Sequence, residues 1–192
     1  MDKGYLYLLI GALLTATRLL PGNIQLIPFI RLDFLGYILI LSGIRGMRTS
    51  EKELKNAYYF AVATVLLNFA LPWLTRLPMT NIYFFLALMV MSVFASIGIF
   101  FWLFKAEYIW SPKRETRMDW LIYSSVSFIY LVLYMVVIFP TMSFRILPPT
   151  IFRFIFEGIG FVNILRYAVL IYILVKLYLG ARRSTPGFNR WG

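Results

Sequence analysis

From Asn81 the chain runs to Lys105 without meeting a charged residue. About 20 apolar residues form a helix long enough to cross the hydrocarbon of a bilayer. Five further apolar runs recur along the sequence, at Gly4–Leu20, Pro28–Met47, Asn56–Thr75, Met118–Phe139 and Phe152–Tyr178. Together they make the chain 61% hydrophobic and only 14% charged. Soluble domains are about half apolar and about a quarter charged, and 192 residues enclose too little interior to hide this excess. The expected fold is all-α: a polytopic integral membrane protein with six transmembrane helices in three hairpins. Residues 1–180 form one transmembrane domain, and residues 181–192 form a short basic tail. The first run has the outline of a secretory leader, with Lys3 before an apolar stretch and Thr15-Ala16-Thr17 small enough to cleave. It is read as a retained span.

The basic residues alternate with the spans. Lys3, then Arg45, Arg48, Lys52 and Lys55, then Lys105, Lys113, Arg114 and Arg117, then Lys176, Arg182, Arg183 and Arg190 fall on one side. Arg18, Arg31, Arg76, Arg145 and Arg153 fall on the other, and Arg166 lies inside a span. Lys and Arg concentrate in cytoplasmic loops, so both termini are expected in the cytoplasm, with the protein in the inner cell membrane. The net charge of +11 would point to nucleic acid in a soluble protein. Here the basic residues flank spans and the aromatic residues lie within them, so nucleic-acid binding is not expected. The opposite connections carry Pro21, Pro28, Pro72, Pro78, Pro140, Pro148 and Pro149, and Pro140 is expected to end the fifth helix.

The sequence has neither Cys nor His. Disulfides, thiol nucleophiles, Ser-His pairs and Cys- or His-held metals are thereby excluded. No phosphate-binding or nucleophile-elbow motif is present. Of the eight acids, only Asp33 and Glu157 fall within or beside an expected span. No cofactor, metal or catalytic residue is expected, and an enzymatic role has few residues to carry it.

The polar residues inside the spans are the candidates for binding. Arg166 lies near mid-depth of the sixth, where a charge is costly and usually functional. Asn163 is one turn away, and together they suit a carboxylate or phosphate. The competing reading pairs Arg166 with an acid on another helix, or lets it snorkel to the interface. Glu157 has Arg153 four residues earlier, the spacing of a local salt bridge. Arg18, Arg31, Asp33, Arg153 and Glu157 could gather into an outer polar cluster attracting an anion, or could form a ring of interfacial charges. Asn68, Ser92 and Ser96 are spaced for interhelical hydrogen bonds. Gly11 with Thr15, Ala12 with Ala16, and Gly36 with Gly43 give small-residue faces suited to close helix packing.

The stretch Ile27-Pro28-Phe29-Ile30-Arg31-Leu32-Asp33-Phe34-Leu35-Gly36-Tyr37-Ile38-Leu39-Ile40 resembles a segment of small six-span membrane proteins of Gram-positive bacteria. In length and expected topology the chain is also similar to the substrate-binding subunits of energy-coupling-factor transporters. Those subunits often carry an Ala-x-x-x-Ala docking face on the first helix, a spacing matched by Ala12 and Ala16. A non-enzymatic transport or solute-binding subunit is expected, because a mid-span arginine needs a reason. The alternatives are an assembly subunit of a larger membrane complex and an enzyme acting on lipid or polyprenyl phosphate. Expected partners are membrane lipid, a membrane protein, and a small anionic or amphipathic ligand.

Overall fold

The computed structural model describes residues 2–19, 25–27, 30–47, 51–74, 82–142 and 149–183. Six α-helices make up almost all of it: α1 (Asp2–Ala16), α2 (Leu32–Gly46), α3 (Lys52–Leu74), α4 (Ile82–Trp110), α5 (Arg114–Met142) and α6 (Pro149–Arg183). Four of them, α3 to α6, are long and apolar enough to cross a membrane. Their surfaces carry exposed Leu66, Phe69, Phe94, Phe128, Phe161 and Tyr172, as a lipid-facing bundle requires.

The helix ends differ from those expected at several places. The chain before α2 is not helical from Pro28. Instead Gln25–Ile27 (β1) pairs antiparallel with Ile30–Arg31 (β2), with Gln25 opposite Arg31 and Ile27 opposite Ile30, and α2 begins only at Leu32. Pro28 itself lies outside the described residues, as do Arg76, Pro78 and Arg145. A short run rich in Ile and Leu fits strand and helix equally well. Thr17–Leu19 tighten into a 3-10 turn after α1. Pro140 does not stop α5, which continues to Met142, and Pro72 lies inside α3. Proline removes only one backbone bond, and a membrane helix tolerates that loss when neighbours satisfy the freed carbonyl. At the charged end the helices overrun the apolar runs: α4 reaches Trp110, α5 starts at Arg114, and α6 extends to Arg183. The described part of the expected tail, residues 181–183, is therefore the last turn of α6.

Local chemistry supports these ends. Asp33, Glu53 and Glu115 lie in first turns and Arg45 in a last turn, each complementing the helix dipole. Thr116 donates from Oγ1 to the carbonyls of Ser111 (2.6 Å) and Lys113 (2.9 Å), closing the short α4–α5 turn.

Successive helices pack on one another, and α1 also packs on α6, so the bundle closes on itself. The tightest approach joins α1 to α2. A β-carbon on Gly11 would meet the Gly36 carbonyl oxygen at 2.6 Å, and one on Gly43 would meet that of Gly4 at 2.8 Å. The helices run antiparallel in this register, with glycines seven residues apart on each. The buried core contains Leu8, Ile40, Ile44, Leu54, Ile99, Leu103, Phe104, Tyr123 and Leu174. Tyr123 is its wedge: its ring meets Phe104 at 5.1 Å and Phe100 at 6.1 Å, both edge-on, locking α5 against α4.

Candidate functional site

Two polar regions stand out, one inside the bundle and one at its charged end.

Arg166 is the inner one. It lies on α6 and is only 7% exposed. Its guanidinium carbon sits 4.6 Å from the Tyr130 ring centre and 4.9 Å from that of Tyr167. A desolvated cation–π contact is worth up to about 2 kcal/mol. The two rings therefore offset part of the cost of burying this charge. Among the described residues no carboxylate forms an ion pair with Arg166. A narrow cavity of about 10 Å³ adjoins it, lined by Thr15, Tyr37, Ser96, Tyr123 and Tyr167 among others. That is room for one water-sized occupant. Asn163 lies one turn before Arg166, and its buried Oδ1 accepts no hydrogen bond among the described residues.

Of the expected outer cluster, Asp33, Arg153 and Glu157 have described side chains. Arg153 donates from Nε to Glu157 Oε1 at 2.8 Å, and both side chains face outward, 82% and 63% exposed. Asp33 is buried on α2, and its Oδ1 accepts the backbone N–H of Phe34 at 3.0 Å. No hydrogen bond or ion pair joins Glu157 to Asp33. The side chains of Arg18 and Arg31 lie outside the described residues. Of the small residues, Gly11, Gly36 and Gly43 form the α1–α2 contact, while Ala12 and Thr15 are fully buried and Ala16 packs on the core. The Ala12–Ala16 face is thus turned into the bundle.

The charged end holds a much larger space. A half-open cleft of about 960 Å³ lies among α1, α4, α5 and α6. Its polar wall carries Tyr5, Glu107, Lys113, Glu115, Asp119 and Lys176. Lys176 bridges two acids of α5, reaching Asp119 Oδ2 at 2.8 Å and Glu115 Oε2 at 3.4 Å. Tyr5 of α1 donates its phenolic proton to Glu107 Oε1 of α4. The same cleft is lined by apolar residues of α6, with Tyr172, Val175 and Leu179 exposed. These positions are three and four residues apart, one face of a helix.

This cleft corrects the expectation that only Asp33 and Glu157 fall within or beside a span. Glu107 lies inside α4 because that helix runs beyond its apolar segment, and Asp119 lies inside α5 at the start of the Met118–Phe139 run. Hydropathy marks where charges begin, not where a helix ends. The available signal was spacing: Glu115 and Asp119 are one turn apart, as are Tyr172 and Lys176. Among the described residues no three acids are placed to hold a metal ion.

Comparison with protein-family profiles, with characterised proteins and with solved structures finds no match to the chain.

Proposed function

We propose that the chain is a non-enzymatic integral membrane protein that binds an amphipathic ligand in the cleft at its charged end. The single observation carrying this reading is that one cleft is lined both by the charged side chains of Glu107, Lys113, Glu115, Asp119 and Lys176 and by apolar residues of α6. Such a site suits a lipid whose head bears an ammonium and a phosphate. Glu107, Glu115 and the ring of Trp110 suit the ammonium, Lys113 suits the phosphate, and Tyr172, Val175 and Leu179 of α6 take the chain. The part assigned to Arg166 in ligand contact passes to the cleft, because the space beside Arg166 is too small for such a molecule.

The same reading holds six crossings, with both termini at the cytoplasmic face of a bacterial-type inner membrane. Alone, α1 and α2 rise about 22 Å each. The 3-10 turn after α1 adds about 6 Å, and the two residues of β2 add about 7 Å before α2. Both then approach the ~30 Å hydrocarbon thickness. The Tyr5–Glu107 and Lys176–Asp119 contacts gather the start of α1, the end of α4, the start of α5 and the end of α6. These ends carry the basic excess that favours the cytoplasm.

Native mass spectrometry of the full chain, extracted in nanodiscs of its own membrane, tests the reading. A stoichiometric ethanolamine-type phospholipid is expected, and Glu107→Gln with Tyr172→Ala should weaken its retention. A stoichiometric protein partner with no lipid adduct would overturn the proposal in favour of an assembly role. Equal lipid retention in the double variant would overturn the cleft as the site.

A further inference from the structure

A half-open groove of about 350 Å³ lies among α3, α4 and α5. Its lining includes Ala63 and Leu67 of α3, Met91 and Phe94 of α4, and Leu131 and Met135 of α5, and no charged residue. It shares no lining residue with the charged-end cleft. All three helices are long and apolar enough to cross a membrane, so in a bilayer the groove opens to acyl chains and not to water.

Each of the three helices brings a cation to the head of this groove. Lys52 and Ala63 are 11 residues apart, as are Phe94 and Lys105, and Arg117 and Met135 are 18 apart. These separations are about three, three and five whole turns, so each cation stands in line with a groove residue. The helix contacts bring the three to one level. Phe60 meets the β-position of Gly98, and Asn68 donates to Ser92. Lys52 is eight residues before Phe60 and Lys105 is seven after Gly98, so the antiparallel pair sets the lysines side by side. Trp120 of α5 stacks on Tyr108 and meets Phe101 at 5.6 Å. Arg117, three residues earlier, therefore lies within about a turn of Lys105.

These charges remain open to an anion. Among the described residues no acid forms an ion pair with Lys52, Lys105 or Arg117. Glu53 follows Lys52 but is turned about 100° round the helix. Lys52 and Arg117 are exposed, and the half-buried Lys105 holds its Nζ 4.7 Å from the centre of the Trp102 ring, which carries no net charge. From Lys52 to Ala63, and from Lys105 to Phe94, is about 16 Å of helix. That is close to half of the ~30 Å hydrocarbon thickness, the depth of one leaflet.

We propose that Lys52, Lys105 and Arg117 hold the phosphate of one anionic glycerophospholipid, of the phosphatidylglycerol type, whose acyl chain lies in the α3–α4–α5 groove. Basic residues at this depth attract anionic headgroups. A zwitterionic lipid would bring its own ammonium against three cations, whereas the acids of the charged-end cleft suit such a head. The two sites thus select opposite headgroups.

The test uses the purified, delipidated full chain in a non-ionic detergent. Palmitoyl-oleoyl phosphatidylglycerol is titrated beside the phosphatidylcholine of the same chains, and native mass spectrometry counts bound lipid. One phosphatidylglycerol should bind with about tenfold or greater preference. Lys52→Gln/Lys105→Gln/Arg117→Gln should remove that preference, and Glu107→Gln/Tyr172→Ala, altered only in the cleft, should keep it. Ala63→Phe fills the groove and should weaken phosphatidylglycerol binding. If that variant does not fold, Met91→Trp at an exposed groove position takes its place. Equal binding of the two lipids by the native protein, or an unchanged preference in the triple variant, would overturn the site. Loss of the preference in the cleft variant would assign the lipid to the cleft instead. Unchanged affinity in the groove-filling variant would overturn the groove as the place of the chain.

Discussion

Gly11 and Gly36 stand face to face across the α1–α2 contact, each leaving room for the other's backbone. A β-carbon on Gly36 would lie 2.7 Å from the Gly11 carbonyl oxygen and 2.8 Å from Thr15 Cγ2. The obstacle is backbone, which does not yield as a flexible side-chain end does. Gly11→Ala or Gly36→Ala should therefore cost about 1–3 kcal/mol, the range for overpacking a tight core. Gly160→Ala is the control, since nothing lies within 4 Å of its β-position. It should raise stability by about 0.5–1 kcal/mol through helix propensity. Thermal unfolding of the three variants in one detergent measures both effects.

Lys176 and Asp119 form a half-buried pair across α5 and α6, 35% and 12% exposed. Partial solvent screening limits its worth. A double-mutant cycle with Lys176→Met and Asp119→Asn should give a coupling of about 1 kcal/mol. The Arg153–Glu157 pair is exposed on both sides. The same cycle with Arg153→Gln and Glu157→Gln should give no more than about 0.5 kcal/mol.

Tyr167 holds Arg166 through its ring. Tyr167→Phe keeps that ring and should leave stability nearly unchanged. Tyr167→Leu removes it and should cost at least about 1 kcal/mol more than Tyr167→Phe. Chemical denaturation of the two variants in mixed micelles separates them. Equal losses would show that the hydroxyl, and not the ring, supports the buried guanidinium.

The absence of cysteine gives a clean background for topology. Lys113→Cys and Ser143→Cys, made singly, should differ toward an impermeant maleimide applied outside intact cells. Ser143→Cys should react, and Lys113→Cys only after lysis. The reverse pattern would invert the proposed orientation.

The sequence made the long helices legible, and the reason is specific. The segments that became α3 to α6 are long, predominantly apolar runs, for which lipid crossing is the plainest solution. Asn68 could likewise be read as a hydrogen-bonding position, and it donates from Nδ2 to Ser92 Oγ at 3.2 Å between α3 and α4. Arg166 was legible as unusual, because a mid-span charge needs an explanation. Its partners were not. Tyr130 lies on another helix, and tyrosine is common throughout this chain, with 13 residues in all. The charged-end cleft was hidden for a different reason. Tyr5 and Glu107 are 102 residues apart, and no local period reports a contact of that range. The β1–β2 pair went unread because strand and helix signals coincide in a short apolar segment.

The unequal lengths of the helices have a mechanical consequence. By its 15 residues, α1 rises about 22 Å, whereas the 35 residues of α6 rise about 52 Å. In a bilayer α6 has length to spare and can lean. On the proposed six-span reading the α1–α2 clasp has none, and would stand nearly upright to reach both interfaces. Lipid beside it meets a shallow apolar band, and lipid beside α4 and α6 meets a deep one. A thicker membrane would then load the clasp first, at the glycine contact that gives least, so hydrophobic mismatch would act on this protein from one side only.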